Sequence, residues 1–159
     1  MTIDLLSEHI ASEELASRTY RFFKSWCGLN GWPGCEAYFL AESKDELEHM
    51  FAFQDYVDDR YPLLAPPPIG GQPEIVLPPT SLLQCFTSAL ALERKVLEQI
   101  NAIGRSAIDE ADYDTIRFIQ PFTKIGIESI RELTTFTQQL QIAGDSASAL
   151  LQFDDEISG

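Results

Sequence analysis

The chain has 159 residues, 25 Asp+Glu against 11 Lys+Arg, and a formal net charge of −14. Its length suits a single domain over 1–159 with a sizeable core, and its 45% hydrophobic residues mark a folded chain. Such acidity excludes nucleic-acid phosphates and an anionic membrane surface as partners and favours cations, metal ions among them.

Turn residues divide the chain into five segments in which apolar residues recur at three and four, the helix period. The first predicted helix covers about 3–27 and ends in a loop crowded with Gly28, Gly31, Pro33 and Gly34. The second covers about 36–60. Residues 62–80 then hold seven prolines and two glycines, with Ile75–Leu77 the one stretch resembling a strand. A third helix follows at about 81–108, an acidic break at Asp109–Asp112, and a fourth helix at about 113–142. Gly144 and Asp145 stop it, and a short amphipathic helix at 147–157 closes the chain. No apolar run approaches the ~18 residues of a membrane helix. Met1–Ser7 lacks the basic start of a secretory signal, so a cytoplasmic setting is expected. Cys27, Cys35 and Cys85 are odd in number and lack zinc-site spacing, so they read as reduced, buried thiols.

Loop lengths constrain the topology. Short connections make the first and second helices antiparallel neighbours, and the third and fourth likewise. Nineteen extended residues at 62–80 reach roughly 60 Å, whereas a 25-residue helix is about 37 Å long. The third helix can therefore start where the second started. The expected fold is all-α: a four-helix bundle with one long crossover and a short fifth helix.

A charge on a buried helix face needs a reason. In the third helix the stripe Phe86, Ala89/Leu90, Val96/Leu97, Ile100 and Ile103 is interrupted by Glu93. In the second, Glu46 and His49/Met50 interrupt Phe39, Ser43, Phe53 and Tyr56/Val57. In the first, Glu13 sits between Leu6/Ile10 and Tyr20. All lie within about one turn of their helix midpoints, so three carboxylates and an imidazole converge at one height. Unpaired, such a cluster is prohibitively costly. A metal compensates it, and oxygen-rich ligation with one imidazole suits iron. Glu46-x-x-His49 places both side chains on one face within reach of one metal or a bridged pair.

The run Asp45-Glu46-Leu47-Glu48-His49-Met50 is similar to the EE-x-x-H segment of ferritins. Further matches are Trp26-Cys27, Phe118-Ile119-Gln120, and Leu140 to Gly144 followed by Leu150–Ile157. On these residues the chain resembles the ferritin family, of the bacterial non-haem type, over nearly its whole length. The resemblance implies a homo-oligomeric cage of 24 subunits that binds Fe(II), oxidises it with O₂ at a di-iron ferroxidase centre, and stores a ferric mineral. It implies that Glu13, Glu46 and His49 bind the first iron, that Glu46 bridges, and that Glu93 binds the second. Tyr20 matches the family tyrosine implied as an electron source; from the residues alone it is equally a buried, hydrogen-bonded tyrosine. Bacterioferritins carry a haem methionine directly after the bridging glutamate. Leu47 stands there, so no haem is expected.

The fourth helix departs from the family pattern. Gly126 and Ser129 stand where a hydrogen-bond acceptor and a carboxylate are commonly found. Two readings of the nearby Glu128 stay open: a bend at Pro121 rotates it inward to complete the second metal site, or it is a plain solvated acid. The second site is therefore expected to be degenerate and the oxidation slow or atypical. The alternatives are a cage subunit with little activity of its own and a ferritin-like di-metal oxidoreductase. Asp112 or Asp114 is expected to cap the fourth helix. Asp55, Asp58 and Asp59 read as an exposed face or an inner-surface patch, and His9 as a surface or packing residue.

Overall fold

The structure, a computed structural model, describes residues 1–61 and 78–159. It contains α1 (Thr2–Leu29), α2 (Pro33–Arg60), α3 (Leu82–Asp109), α4 (Tyr113–Ala143) and α5 (Ala147–Ile157), with no strand among the described residues. The strand-like stretch Ile75–Leu77 and most of the predicted crossover lie outside the described residues.

The helix ends follow local chemistry. Ser81, Asp112 and Ser146 each accept a hydrogen bond from the backbone N–H three residues on, satisfying amides that a helix start leaves free. The cap of α4 is thus Asp112, with Asp114 in the first turn. The expected start of α2 at 36 is corrected to Pro33. Proline's fixed φ suits the first helical position, and Asp154 of α5 accepts from the amides of Gly34 (3.0 Å) and Cys35 (2.7 Å). Gly34 can be nothing larger, because a Cβ there would lie 1.7 Å from the Asp154 carbonyl oxygen.

α1 and α2 pack as one antiparallel hairpin and α3 and α4 as another, while α5 closes the end against α2 and α4. Contacts of Thr2 with Glu110 and Ser106, His9 with Gln99, and Tyr20 with Glu93 set α1 antiparallel to α3. Leu82 and Cys85, at the start of α3, share a cluster with Cys35 and Phe39 near the start of α2. Arg60, at the far end of α2, instead pairs with Asp112 before α4. α2 and α3 therefore run parallel, as a long crossover requires. The expected four-helix bundle with a short fifth helix is the observed fold.

The apolar interior is two cores. One gathers Tyr20, Phe23, Phe39, Phe86 and Phe153 near α5. The other gathers Leu6, Ile10, Phe53, Val57, Val96, Ile100 and Ile119 at the opposite end. α2 and α4 meet through aromatic pairs, Phe53–Phe122 and stacked Tyr56–Phe118 at one end and Tyr38–Phe136 at the other. Between the two cores the side chains become acidic.

Candidate metal centre

Each of the first three long helices carries an apolar stripe, and each stripe is interrupted by a buried glutamate, at Glu13, Glu46 and Glu93. All three glutamates are buried, at 1%, 5% and 4% exposure. Glu13, Glu46 and half-buried His49 bring one donor atom each within 4.8 Å of one another, and so do Glu42, Glu46 and Glu93. Glu46 belongs to both groups. Two groups of three donors, either of which could hold a cation, thus lie between α1, α2 and α3 and share Glu46. The cleft they border is closed on the α4 side by Phe122, Ile125 and Gly126.

The electrostatics register the crowding. Burial pushes Glu46 up to about 8, helped by contact with Glu13 and opposed by His49. Burial and the Glu46 charge push Glu93 up to about 7, although the Tyr20 hydroxyl opposes this. Burial and the charges of Glu93 and Glu46 raise Glu42 to about 8. Glu13 is raised for the same first reason. Burial pulls the His49 imidazole down, but the Glu46 hydrogen bond and the Glu46 and Glu13 charges outweigh it, so its pKa rises. Without a cation, the protein can hold these acids only by keeping protons on some of them.

The structure brings Glu13, Glu46, His49 and Glu93 together and sets Tyr20 against them, its hydroxyl donating to Glu93 Oε1 at 2.5 Å. It does not bring Glu128, and the inward reading of that residue is corrected. α4 stays helical through Pro121. Glu128 is two residues from buried Gly126, about 200° round the helix; its side chain is 66% exposed and lies 3.9 Å from Lys124. Gly126 serves packing instead, since a Cβ there would press on Leu97 Cδ1 at 3.1 Å.

One residue of the site, Glu42, was not anticipated, and a second residue, beside the site, is placed more closely than the sequence allowed. Glu42 lies one turn before Glu46, and the i, i+4 spacing was the available signal. His9, read as surface or packing, is fully buried against Phe53, with ring centroids 4.4 Å apart. Its Nε2 lies 2.8 Å from Glu13 Oε1, and burial lowers its pKa to about 4. Its i, i+4 relation to Glu13 was the signal there. The remaining acids are plain. Asp55, Asp58 and Asp59 are exposed, Glu110 accepts from the Thr2 amide, and the three cysteines are buried free thiols.

A bundle of this connectivity with a carboxylate–histidine cluster at mid-height defines the ferritin-like class. The model of the ferritin-like domain matches residues 3–143, and the chain belongs to the ferritin family. It is 26% identical over 156 residues to a bacterial non-heme ferritin of Escherichia coli O6:H1, covering 98% of this chain and 93% of the relative. It is 25% identical over 153 residues to one of Staphylococcus epidermidis, covering 96% and 90%. Its fold matches the open-pore ferritin of the archaeon Archaeoglobus fulgidus with a TM-score of 0.84 at 22% identity, over 99% and 95% of the two chains. No described helix is long and apolar enough to cross a membrane.

Proposed function

We propose that this chain is an iron-storage ferritin subunit with its own ferroxidase centre. Fe(II) enters as substrate. One ion is held by Glu13, Glu46 and His49, and a second by Glu46, Glu93 and Glu42. Two ferrous ions side by side each give one electron to O₂, which takes up two protons and leaves as hydrogen peroxide. The ferric product joins a mineral inside a homo-oligomeric, cytoplasmic cage of 24 subunits. The observation that carries this reading is the pair of ligand groups meeting on Glu46, because a two-electron step needs two irons in one place.

The second site was expected to be degenerate for want of a carboxylate on α4. The grouping of Glu42 with Glu46 and Glu93 supports a different reading, in which the third oxygen ligand is supplied by α2 and none is required of α4. A second reading, a cage subunit that mainly contains mineral, draws on Gly126 and Ser129, which give α4 no acid at the cleft. Stopped-flow absorbance after mixing Fe(II) with O₂ separates the two. The ferroxidase reading expects a fast phase that Glu93→Gln slows at least about tenfold; equal rates leave the container reading. Gel filtration tests the cage, which should elute as about 24 subunits of 17.8 kDa.

A further inference from the structure

His9 is fully buried one turn before Glu13, outside the donor group that Glu13, Glu46 and His49 form. Its ring is fixed from two other helices. Phe53 of α2 packs on it with centroids 4.4 Å apart, and Gln99 of α3 places Oε1 3.4 Å from Nδ1. The far nitrogen, Nε2, lies 2.8 Å from Glu13 Oε1. A residue that only packs needs the first of these contacts and neither of the others.

The direction of the polar contacts follows from Ser12. Its hydroxyl donates to the Glu8 carbonyl (3.2 Å) and accepts from Nε2 of the Gln99 amide (2.9 Å). Gln99 therefore turns its acceptor, Oε1, toward His9, and the proton on Nδ1 faces it. On the other side of the ring, Nε2 and Glu13 Oε1 hold one proton between them, at a separation normal for a bond of this kind. Oε1 is thereby occupied. Glu13 Oε2 is buried and has no hydrogen-bond partner, which buried polar atoms seldom lack. Of the two oxygens, Oε2 is the one left for a cation.

We propose that His9 is the positioning residue of the first site: by holding Glu13 Oε1 it fixes the rotation of the carboxylate, so that Glu13 offers the cation a single oxygen, Oε2. The inference rests on the metal-centre reading above and deepens it. His9 supplies no ligand; it sets how many Glu13 supplies. Ca(II) takes about six to eight oxygens, often both from one carboxylate. A Glu13 restricted to one oxygen keeps the ligand count low and suits Fe(II) and Zn(II) instead.

Two readouts on the whole assembled protein test this together: Zn(II) affinity by competition with a chromophoric chelator, and the visible spectrum of bound Co(II), which follows coordination geometry. His9→Phe keeps an aromatic ring against Phe53 and deletes both polar contacts. First-site Zn(II) affinity should fall about 10- to 100-fold, the usual cost of losing the outer partner of a ligand. The Co(II) bands should shift and weaken as Glu13 turns to bind with both oxygens. His9→Gln, whose amide can donate to Glu13 one turn on, should recover most of the affinity and the wild-type spectrum. If His9→Phe does not assemble, Gln99→Leu removes the acceptor at Nδ1 and should move both readouts the same way. Wild-type affinity and spectrum in an assembled His9→Phe or Gln99→Leu protein overturn the positioning role and leave the centre intact. Equal losses in His9→Phe and His9→Gln with an unchanged Co(II) spectrum overturn it too, since His9 then only packs. Zn(II) affinity that Glu13→Gln leaves unchanged overturns the metal-centre reading, and this inference with it.

Discussion

The Tyr20 hydroxyl donates to Glu93 Oε1 at 2.5 Å, tying α1 to α3 where the aromatic core near α5 gives way to the acidic belt. Tyr20 is 1% exposed, and its ring stacks on Phe39. One residue thus belongs to the apolar packing through its ring and to the acidic cluster through its oxygen. Tyr20→Phe keeps the packing and deletes the donor. The metal-free protein should lose about 1–2 kcal/mol of stability by denaturant unfolding, and Glu93 should climb further above its ordinary range. Anaerobic Fe(II) stoichiometry should stay unchanged, since no ligand is removed; a drop in the number of ions bound would make Tyr20 a ligand.

Raised carboxyl pKa values set the direction of pH dependence. Glu46 and Glu42 are pushed up to about 8 and Glu93 to about 7, each from 4.5. Above pH 4.5 the unfolded chain has released protons that the folded protein still holds, so folding is progressively disfavoured as pH rises through the folded values. His49, also raised, acts with the same sign. His9, lowered to about 4, acts oppositely but only below its ordinary 6.5. From pH 6.5 to 8.5 the contributions agree, and the melting temperature of metal-free protein should fall. Zn(II) replaces the protons, so its stabilisation should grow over the same range. A melting temperature that rises with pH in the absence of metal would contradict the cluster's burial.

Glu13, Glu46 and Glu93 were legible in the sequence because each interrupts an apolar stripe on its own helix, a comparison that needs only local periodicity. The crossover connectivity was legible from loop length alone. Glu42 was not, because the acids that bear on it include Glu93 of α3 and Glu132 of α4, distant in the chain. Within α2 it sits at the edge of the stripe through Phe39, Ser43 and Glu46. His9 stands beside polar Ser7 and Glu8, and what buries it is Phe53 of another helix. Glu128 was left open for the converse reason: whether Pro121 turns α4 cannot be read from the residue type, and α4 continues without a break.

The joint between α5 and α2 is another contact that periodicity could not reveal, since its partners are 120 residues apart. Asp154 is 5% exposed and takes both amides of Gly34 and Cys35. Asp154→Ala should cost about 1–2 kcal/mol, the usual loss when a helix start is uncapped. Gly34→Ala drives a methyl group into the Asp154 carbonyl and should cost about 1–3 kcal/mol by overpacking. Both variants should make α5 more sensitive to limited proteolysis while Zn(II) affinity, set near mid-bundle, holds. Proteolysis rates equal to wild type would show that α5 is held by its apolar contacts alone.

Glu42 is the residue on which the proposed second site turns. It shares donor distances within 4.8 Å with Glu46 and Glu93, whereas α4 lines the cleft with Phe122, Ile125 and Gly126. Glu42→Gln keeps the size of the side chain and removes its charge. The first site does not use Glu42, so one tight Fe(II) per subunit should survive in an anaerobic titration. The second ion should weaken by about tenfold or more, since a neutral amide is a poorer ligand for a ferrous ion than a carboxylate. Oxidation should slow with it, because two electrons are then seldom available together. Ser129→Glu, which restores an acid to α4 on the face that includes Gly126, should recover part of the lost binding in the Glu42→Gln background. Two tight ions in Glu42→Gln would mean that the second iron is held by Glu46 and Glu93 with solvent, and that Glu42 lies outside the centre.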